Sequence, residues 1–387
     1  YHGPCARKPG MMPNSVRYGG TFRECMKSKL AVYMILGAII SAFALYFSFK
    51  NVPFDALLRY MNSINYFWAA MGAGVAVISI VLRVIRWRII IGALNPVTFW
   101  EAFHPLAIGF MINNVFPGRT GEIARPGILT FRSRISFSSG LATVAAERLM
   151  DLFFLVMLFL GLSYTMELSP ASGLSFSGYH ISGEIIVSVF KGLISACFLL
   201  FTGIIVLSFE TSRKWCVDLI FKIPALFFWA SRSFRKKFTR KICTPLAGFC
   251  EKLASGFSLV RQPKRIYICA VATVAIWLVQ AWSFYLVALG CPGLSLSFWE
   301  ITAVMILICF SITLPSVPGY WGLWEAGGIF ALSLFGIARE EAIGYTLVNH
   351  AVQILPVTII GLVSVWATSL NFSRISKLPA RMAVEKV

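Results

Sequence analysis

The sequence predicts an all-α integral membrane protein with about six full spans, two re-entrant helical hairpins and an inverted internal repeat, or eight helices if each hairpin is counted as a span. Three observations carry this. Of 387 residues, 58% are hydrophobic and only 13% charged, with a mean hydropathy of +0.76, against roughly 25% charged in an average soluble protein. The longer apolar runs match the ~20 residues that cross a bilayer as a helix. The order of motifs in the second half repeats that of the first.

The formal net charge is +19, but the basic residues sit mainly in loops between apolar runs. That is the positive-inside pattern of membrane proteins together with attraction to anionic headgroups, so no nucleic-acid partner is expected. Nine cysteines are scattered without a C-x-x-C pair, which argues against a disulfide framework or a zinc site. The spans leave no run long enough for a soluble catalytic domain.

Residues 1–28 mix Gly, Pro, Arg and Lys without periodicity and are expected to be a disordered or expression-derived leader. The membrane domain is expected over residues 29–370 and a cytoplasmic tail over 371–387. Arg17, Arg23, Lys27 and Lys29 precede a first span at 30–49, which puts the N-terminus in the cytoplasm. A second span at 66–85 ends in R-V-I-R-W-R, where Arg83, Arg86 and Arg88 are expected to snorkel to the cytoplasmic interface around Trp87.

Residues 100–116 are apolar but short, and a Gly/Pro-broken segment with Arg119, Arg125, Arg132 and Arg134 follows. Such a run fits half of a re-entrant hairpin better than a full crossing. A third span at 141–164 carries Glu147, Arg148 and Asp151 in its first half. The loop at 165–183 has no Lys or Arg and belongs outside, and a fourth span at 185–209 returns inward.

The loop from Arg213 to Arg265 then holds thirteen Lys or Arg against Asp218 and Glu251, a cytoplasmic marker. Within it, residues 215–229 mix aromatic and basic side chains, and two readings stay open: a helix in the headgroup plane, or a packed core helix. A span at 266–289 crosses outward. Residues 300–314 and 322–335 flank a second Pro/Gly break and are too short for two comfortable spans. The last span at 342–368 is followed by Arg374, Lys377, Arg381 and Lys386, so the C-terminus is also expected in the cytoplasm.

Setting residues 66–165 beside 266–368 exposes the repeat. F-W-E at Phe99 to Glu101 returns at Phe298 to Glu300, and Pro117, Gly118, Gly121 and Glu122 return as Pro318, Gly319, Gly322 and Glu325. The gap from the first Glu to the proline is 16 positions in one half and 18 in the other. Downstream, Gly118 lies 29 positions before Glu147 and Gly319 lies 30 before Asn349. This sets Glu147, Arg148 and Asp151 opposite Asn349, His350 and Gln353, each trio on one helix face. Loop charge gives the halves opposite orientation, as in transporters whose half-helix ends meet at a midplane substrate site.

Pro117, Gly118, Gly121, Pro318, Gly319 and Gly322 are therefore read as hinges, since helix breaks at membrane depth survive only against protein or a wet cavity. Ordinary kinks between packed helices are the plainer reading. Arg119 and Arg125 suit a phosphate, although the same residues also fit an interfacial basic cluster. Glu122, Glu147, Asp151 and Glu325 suit an amine or a proton, while a buried structural ion pair explains Glu147 with Arg148 or Asp151 equally well. His350 is either a proton carrier or a packing residue. No H-E-x-x-H, G-x-S-x-G or Walker loop occurs, so neither an enzyme nor a cofactor is expected.

N-N-V-F-P-G-R-T-G-E-I-A-R (Asn113 to Arg125), L-A-T-V-A-A-E-R-L-M-D-L (Leu141 to Leu152) and V-P-G-Y-W-G-L-W-E-A-G (Val317 to Gly327) resemble the lysylphosphatidylglycerol synthase transmembrane family. This is the flippase-like membrane domain of bacterial multiple peptide resistance factors. In the two-part factors the membrane domain moves aminoacylated phosphatidylglycerol outward, and a separate cytoplasmic domain makes it. The short tail after the last span implies a stand-alone member without the synthase domain. The resemblance thus implies a flippase of the cytoplasmic (inner) membrane that moves a phospholipid or polyprenyl-linked lipid through a polar midplane cavity. Two alternatives stay open: an enzyme acting on polyprenyl-linked sugars, and a scaffold whose basic loop holds a lipid-synthesis enzyme.

Overall fold

The computed structural model describes residues 35–165 apart from 51, 118 and 134, the stretches 174–176 and 179–181, residues 209–226, scattered positions between 192 and 248, and residues 262–369. The fourth span expected at 185–209 and both chain ends lie largely or wholly outside the described residues, as do residues 30–34 of the first expected span.

The described chain is predominantly helical. Helix α1 (Ile35–Phe49) is followed at an 83° bend by α2 (Phe54–Ser63). Next come α3 (Tyr66–Ile91), α4 (Phe99–Val115), α5 (Gly121–Arg132) and α6 (Phe137–Thr165). Strands β1 (Leu174–Phe176) and β2 (Tyr179–Ile181) form an antiparallel pair. Helix α7 (Glu210–Leu226) precedes α8 (Pro263–Leu289), α9 (Phe298–Ser311), a 3₁₀ turn (Pro318–Tyr320), α10 (Leu323–Ser333) and α11 (Arg339–Thr368).

The sequence reading passes over α2. Pro53 occupies its N-cap, and a proline there cannot continue α1 because it lacks an N–H and restricts the residue before it. Arg339, at the start of α11, donates from Nη2 to the Phe47 and Ser48 carbonyls at 2.6 and 3.3 Å. Those carbonyls belong to the last turn of α1, so Arg339 ties the start of α11 to the end of α1.

Both F-W-E segments open a helix for the same local reason. Thr98 accepts from the Glu101 backbone N–H at 3.3 Å while Glu101 Oε2 accepts from the Thr98 N–H at 2.7 Å. Ser297 and Glu300 repeat this at 3.3 and 2.7 Å. Each is a reciprocal capping box that satisfies orphan donors at the helix start.

Among the described helices, α3, α8 and α11 are long and apolar enough to cross a membrane, and the bent α1–α2 pair counts as a fourth such element. Helix α6, at 29 residues, is as long, but Glu147, Arg148 and Asp151 interrupt its apolar run. Large apolar side chains face outward along α11 (Leu355, Ile359, Leu362, Val363) and α8 (Val271, Val274, Leu278), as lipid contact requires. An integral membrane protein is the class that fits this exterior.

Helices α3 and α8 form the central pair. Ser283 Oγ donates to the Gly72 carbonyl at 2.7 Å, and a Cβ on Gly72 would stand 3.0 Å from the Ser283 carbonyl. Such close backbone approach through a small residue is how helices associate where lipid removes the hydrophobic drive. Around this pair, Ala107 and Met111 of α4 close on Gly361 of α11, and Asn114 Nδ2 donates to Thr358 Oγ1 at 3.0 Å.

Candidate functional site

Two helix breaks and a charge cluster bound the candidate site. The first break separates α4 from α5, which fold back on each other so closely that a Cβ on Gly121 would overlap the Gly109 carbonyl. Asn113 Oδ1 accepts from the Gly121 N–H at 2.8 Å and so replaces a lost helix bond. In the second break, Gly319 and Gly322 take φ of 73° and 89°. Gly322 meets both limits at once: its backbone is left-handed, and a Cβ would press on the Ser41 carbonyl of α1 at 2.5 Å.

The two breaks meet. Arg119, itself at φ 51°, donates from Nη2 to the Ile312 carbonyl at 2.8 Å, and its guanidinium lies 5.9 Å from the Tyr320 ring. A Cβ on Gly319 would stand 3.4 Å from the Asn114 carbonyl. Pro117 and Pro318 sit in these breaks, while Gly118 is outside the described residues. Arg119 therefore bridges the two chain breaks.

The charges of α6 form a buried network whose partners sequence spacing does not reveal. Asp151 accepts from both terminal nitrogens of Arg86, at 2.6 and 3.1 Å, and from Trp277 Nε1 at 3.1 Å. Glu147 lies between Arg86, at 3.3 Å, and Arg125, at 2.7 Å. Arg86 Nη1 also donates to Thr273 Oγ1 at 2.8 Å. Arg125 lies over Trp87 at 4.2 Å. Arg148 reaches Glu122 and Asp151, each at 3.7 Å. A buried guanidinium needs such pairing, because a lone charge in a low-dielectric interior costs several kcal/mol.

This corrects the reading of R-V-I-R-W-R. Arg86 and Trp87 are fully buried and Arg83 nearly so, rather than snorkelling, and Arg88 alone of the three arginines is exposed. The physical reason is that α6 presents carboxylates to this face of α3, and pairing outweighs reaching water. The signal in the sequence was charge balance: Glu147 and Asp151 need more cations than Arg148 supplies.

In the second half, Glu325 Oε2 accepts from the Gly322 N–H at 2.6 Å, and Oε1 faces His350 Nδ1 at 2.5 Å. His350 Nε2 faces the Gly319 carbonyl at 2.7 Å. A carbonyl only accepts, so Nε2 carries hydrogen. One further proton must sit between Nδ1 and Oε1, since two bare lone pairs would repel at that distance. The pair is then neutral overall. It clamps both sides of the break, and His350 stacks on Trp324 at 4.7 Å with the rings 4° apart.

Asn349 Nδ2 donates to Tyr345 Oη at 2.8 Å, which donates on to the Phe284 carbonyl at 3.2 Å. Gln353 joins a polar chain across the central helices. Ser79 Oγ donates to Gln280 Oε1 at 2.9 Å, Gln280 Nε2 to Gln353 Oε1 at 2.7 Å, and Gln353 Nε2 to Ser283 Oγ at 2.9 Å.

That chain lines a partly open cavity of about 170 Å³, with walls from α3, α4, α8, α9, α10 and α11. Ser79, Gln280, Gln353 and Arg83 are its polar lining, and Trp277, Trp324, Phe110 and Phe284 its aromatic one. Arg83 lies 5.0 Å from the Trp277 ring centre and 3.7 Å from Asp151. Of the candidates read from sequence, Gln353 alone lines this cavity; Arg83, Ser79 and Gln280 went unnoticed as site residues. No cluster of His, Cys, Asp and Glu suited to a metal occurs among the described residues.

Comparison with known proteins places this geometry in context. The family model described as the lysylphosphatidylglycerol synthase TM region matches residues 34–361. A UPF0104 membrane protein of Methanothermobacter thermautotrophicus is 22% identical over 351 residues, covering 88% of this chain and 96% of the relative.

Proposed function

Because the chain belongs to the lysylphosphatidylglycerol synthase TM-region family, we propose that it is a lipid transporter of the cytoplasmic membrane, moving a phospholipid or lipid-linked headgroup between leaflets. The observation that carries this is the cavity: a partly open space lined by an arginine, two carboxamides and aromatic rings, among helices whose outer faces are apolar. A headgroup would occupy it while the acyl chains remain in lipid.

In this reading α4–α5 and α9–α10 are re-entrant hairpins, and α1, α3, α6, α8 and α11 are full spans. Matched capping boxes, matched Pro-Gly breaks and a parallel order of packing partners support an inverted repeat of residues 66–165 and 266–368. The contact of the two breaks through Arg119 supports a shared midplane site, with half-helix ends meeting as in inverted-repeat transporters. The cluster of Glu122, Arg125, Glu147, Arg148 and Asp151 reaches the cavity through Asp151, which contacts the lining residues Arg83 and Trp277, and Glu325 and His350 reach it through Trp324, on which His350 stacks. Loop charge supports a cytoplasmic side for both termini.

The test is headgroup translocation by the purified full chain in vesicles, with several labelled lipids and imposed gradients. A lipid moved by the wild type, and about tenfold more slowly by folded Arg119→Ala, supports the reading. No movement of any lipid under any gradient overturns it.

A further inference from the structure

The cavity walls carry a cation, two carboxamides and a hydroxyl, and no carboxylate among the described residues. We infer that its ligand is an anionic phosphate ester bearing hydroxyl groups, such as an unmodified glycerol or polyol phospholipid headgroup, and not an aminoacylated or otherwise cationic one. This rests on the transport reading for its source, the membrane, but not for its chemistry.

The argument is one of charge and hydrogen-bond supply. An ammonium headgroup needs a carboxylate or an aromatic cage that no cation occupies. Of the nearby carboxylates, Asp151 is held by Arg86 and Glu147 by Arg86 and Arg125, while Glu122, 3.7 Å from Arg148, does not line the cavity. Glu325 is taken by the Gly322 N–H and His350. Four arginines face these three cluster carboxylates, so the cluster carries one surplus positive charge. The lining rings are already occupied in part: Trp277 faces Arg83 at 5.0 Å, Phe110 faces Arg125 at 5.6 Å, and Trp324 is stacked by His350. A cationic headgroup would therefore meet net positive charge in a low-dielectric site, where like-charge juxtaposition costs several kcal/mol.

An anion meets the opposite field. Arg83 lies beyond hydrogen-bond distance of Asp151, at 3.7 Å, and that carboxylate is already paired twice by Arg86. A guanidinium so placed can turn two donors to phosphate oxygens. Ser79, Gln280 and Gln353 are hydrogen-bonded in a chain, and the second amide hydrogens and remaining lone pairs of the two carboxamides offer neutral donors and acceptors to hydroxyl groups. The size agrees: about 170 Å³ is smaller than the roughly 300–1,000 Å³ of a drug-sized pocket and suits a compact headgroup.

The experiment measures binding to the full chain in detergent by titration calorimetry. The probes are short-chain phosphatidylglycerol, short-chain lysyl-phosphatidylglycerol, short-chain phosphatidic acid and soluble glycerol phosphate. Phosphatidylglycerol is expected to bind at least about tenfold tighter than the lysyl form. Arg83→Gln is expected to lower phosphatidylglycerol affinity about tenfold or more, and Gln280→Leu to erase the preference over phosphatidic acid. Because Arg83→Gln touches the buried cluster, the Gln280→Leu arm and the wild-type binding order keep the test decisive if it misfolds. Equal or tighter binding of the lysyl form overturns the inference. Equal binding of soluble glycerol phosphate overturns its assignment to a lipid. Translocation is read separately in vesicles, so failure of all lipids to move falls on the transport reading while the binding order still decides this one.

Discussion

Arg86 of α3 grips Asp151 of α6 through both terminal guanidinium nitrogens, at 2.6 and 3.1 Å, with both groups withdrawn from solvent. Two charges 65 positions apart in the chain thus lock α3 to α6. Breaking a buried pair by removing one partner leaves an uncompensated charge, which costs about 3–5 kcal/mol.

Arg86→Met should accordingly lower stability by about 3–5 kcal/mol, and the double variant Arg86→Met with Asp151→Leu should recover part of that loss. Thermal unfolding in detergent measures both. A double variant no more stable than the single one contradicts the pairing.

The Glu325–His350 clamp makes an asymmetric prediction. In Glu325→Gln the amide N–H can donate to His350 Nδ1 while its oxygen accepts from the Gly322 N–H, so every hydrogen bond survives. Stability and transport should stay near wild type. Glu325→Leu leaves the Gly322 N–H and His350 Nδ1 unsatisfied and should cost about 1–3 kcal/mol for each buried group. A folded Glu325→Gln protein that has lost transport would instead make Glu325 a proton carrier.

Two glycines should respond oppositely to alanine. A Cβ on Gly121 overlaps the Gly109 carbonyl, whereas one on Gly74 of α3 meets nothing within 4 Å. Gly121→Ala must force α4 and α5 apart and should destabilise by about 1–3 kcal/mol as an overpacked contact. Gly74→Ala should stabilise by up to ~1 kcal/mol through helix propensity. Melting temperatures of the two variants should move in opposite directions.

Arg119 ties one break to the other through the Ile312 carbonyl. Arg119→Ala should slow lipid translocation by about tenfold, equivalent to ~1.4 kcal/mol on the barrier. The melting temperature should fall little, since the lost bond is one neutral-acceptor contact. Arg119→Lys keeps a charge but not the fork, and should restore the rate only in part.

What the sequence by itself determined is whatever acts over a few residues. Hydropathy marks the membrane class, Pro and Gly mark the ends of α4 and α9, and the motifs from Asn113 to Arg125 and from Val317 to Gly327 carry the family. The chain reveals these because hydrophobic runs, capping residues and helix breakers exert their effect on their own turn of helix.

Only the tertiary structure decided which charge meets which. Glu147 looks like a partner of its neighbours Arg148 and Asp151, yet it lies between Arg86 and Arg125. Arg83 reads as an interfacial anchor and instead lines the cavity. Glu325 looks basic-free in sequence and finds His350, a partner 25 positions away, across the second break. Spacing along one helix cannot choose among partners on other helices. That choice follows from which faces α3, α5, α6 and α8 turn toward each other, and from the large cost of leaving any one of these buried charges alone.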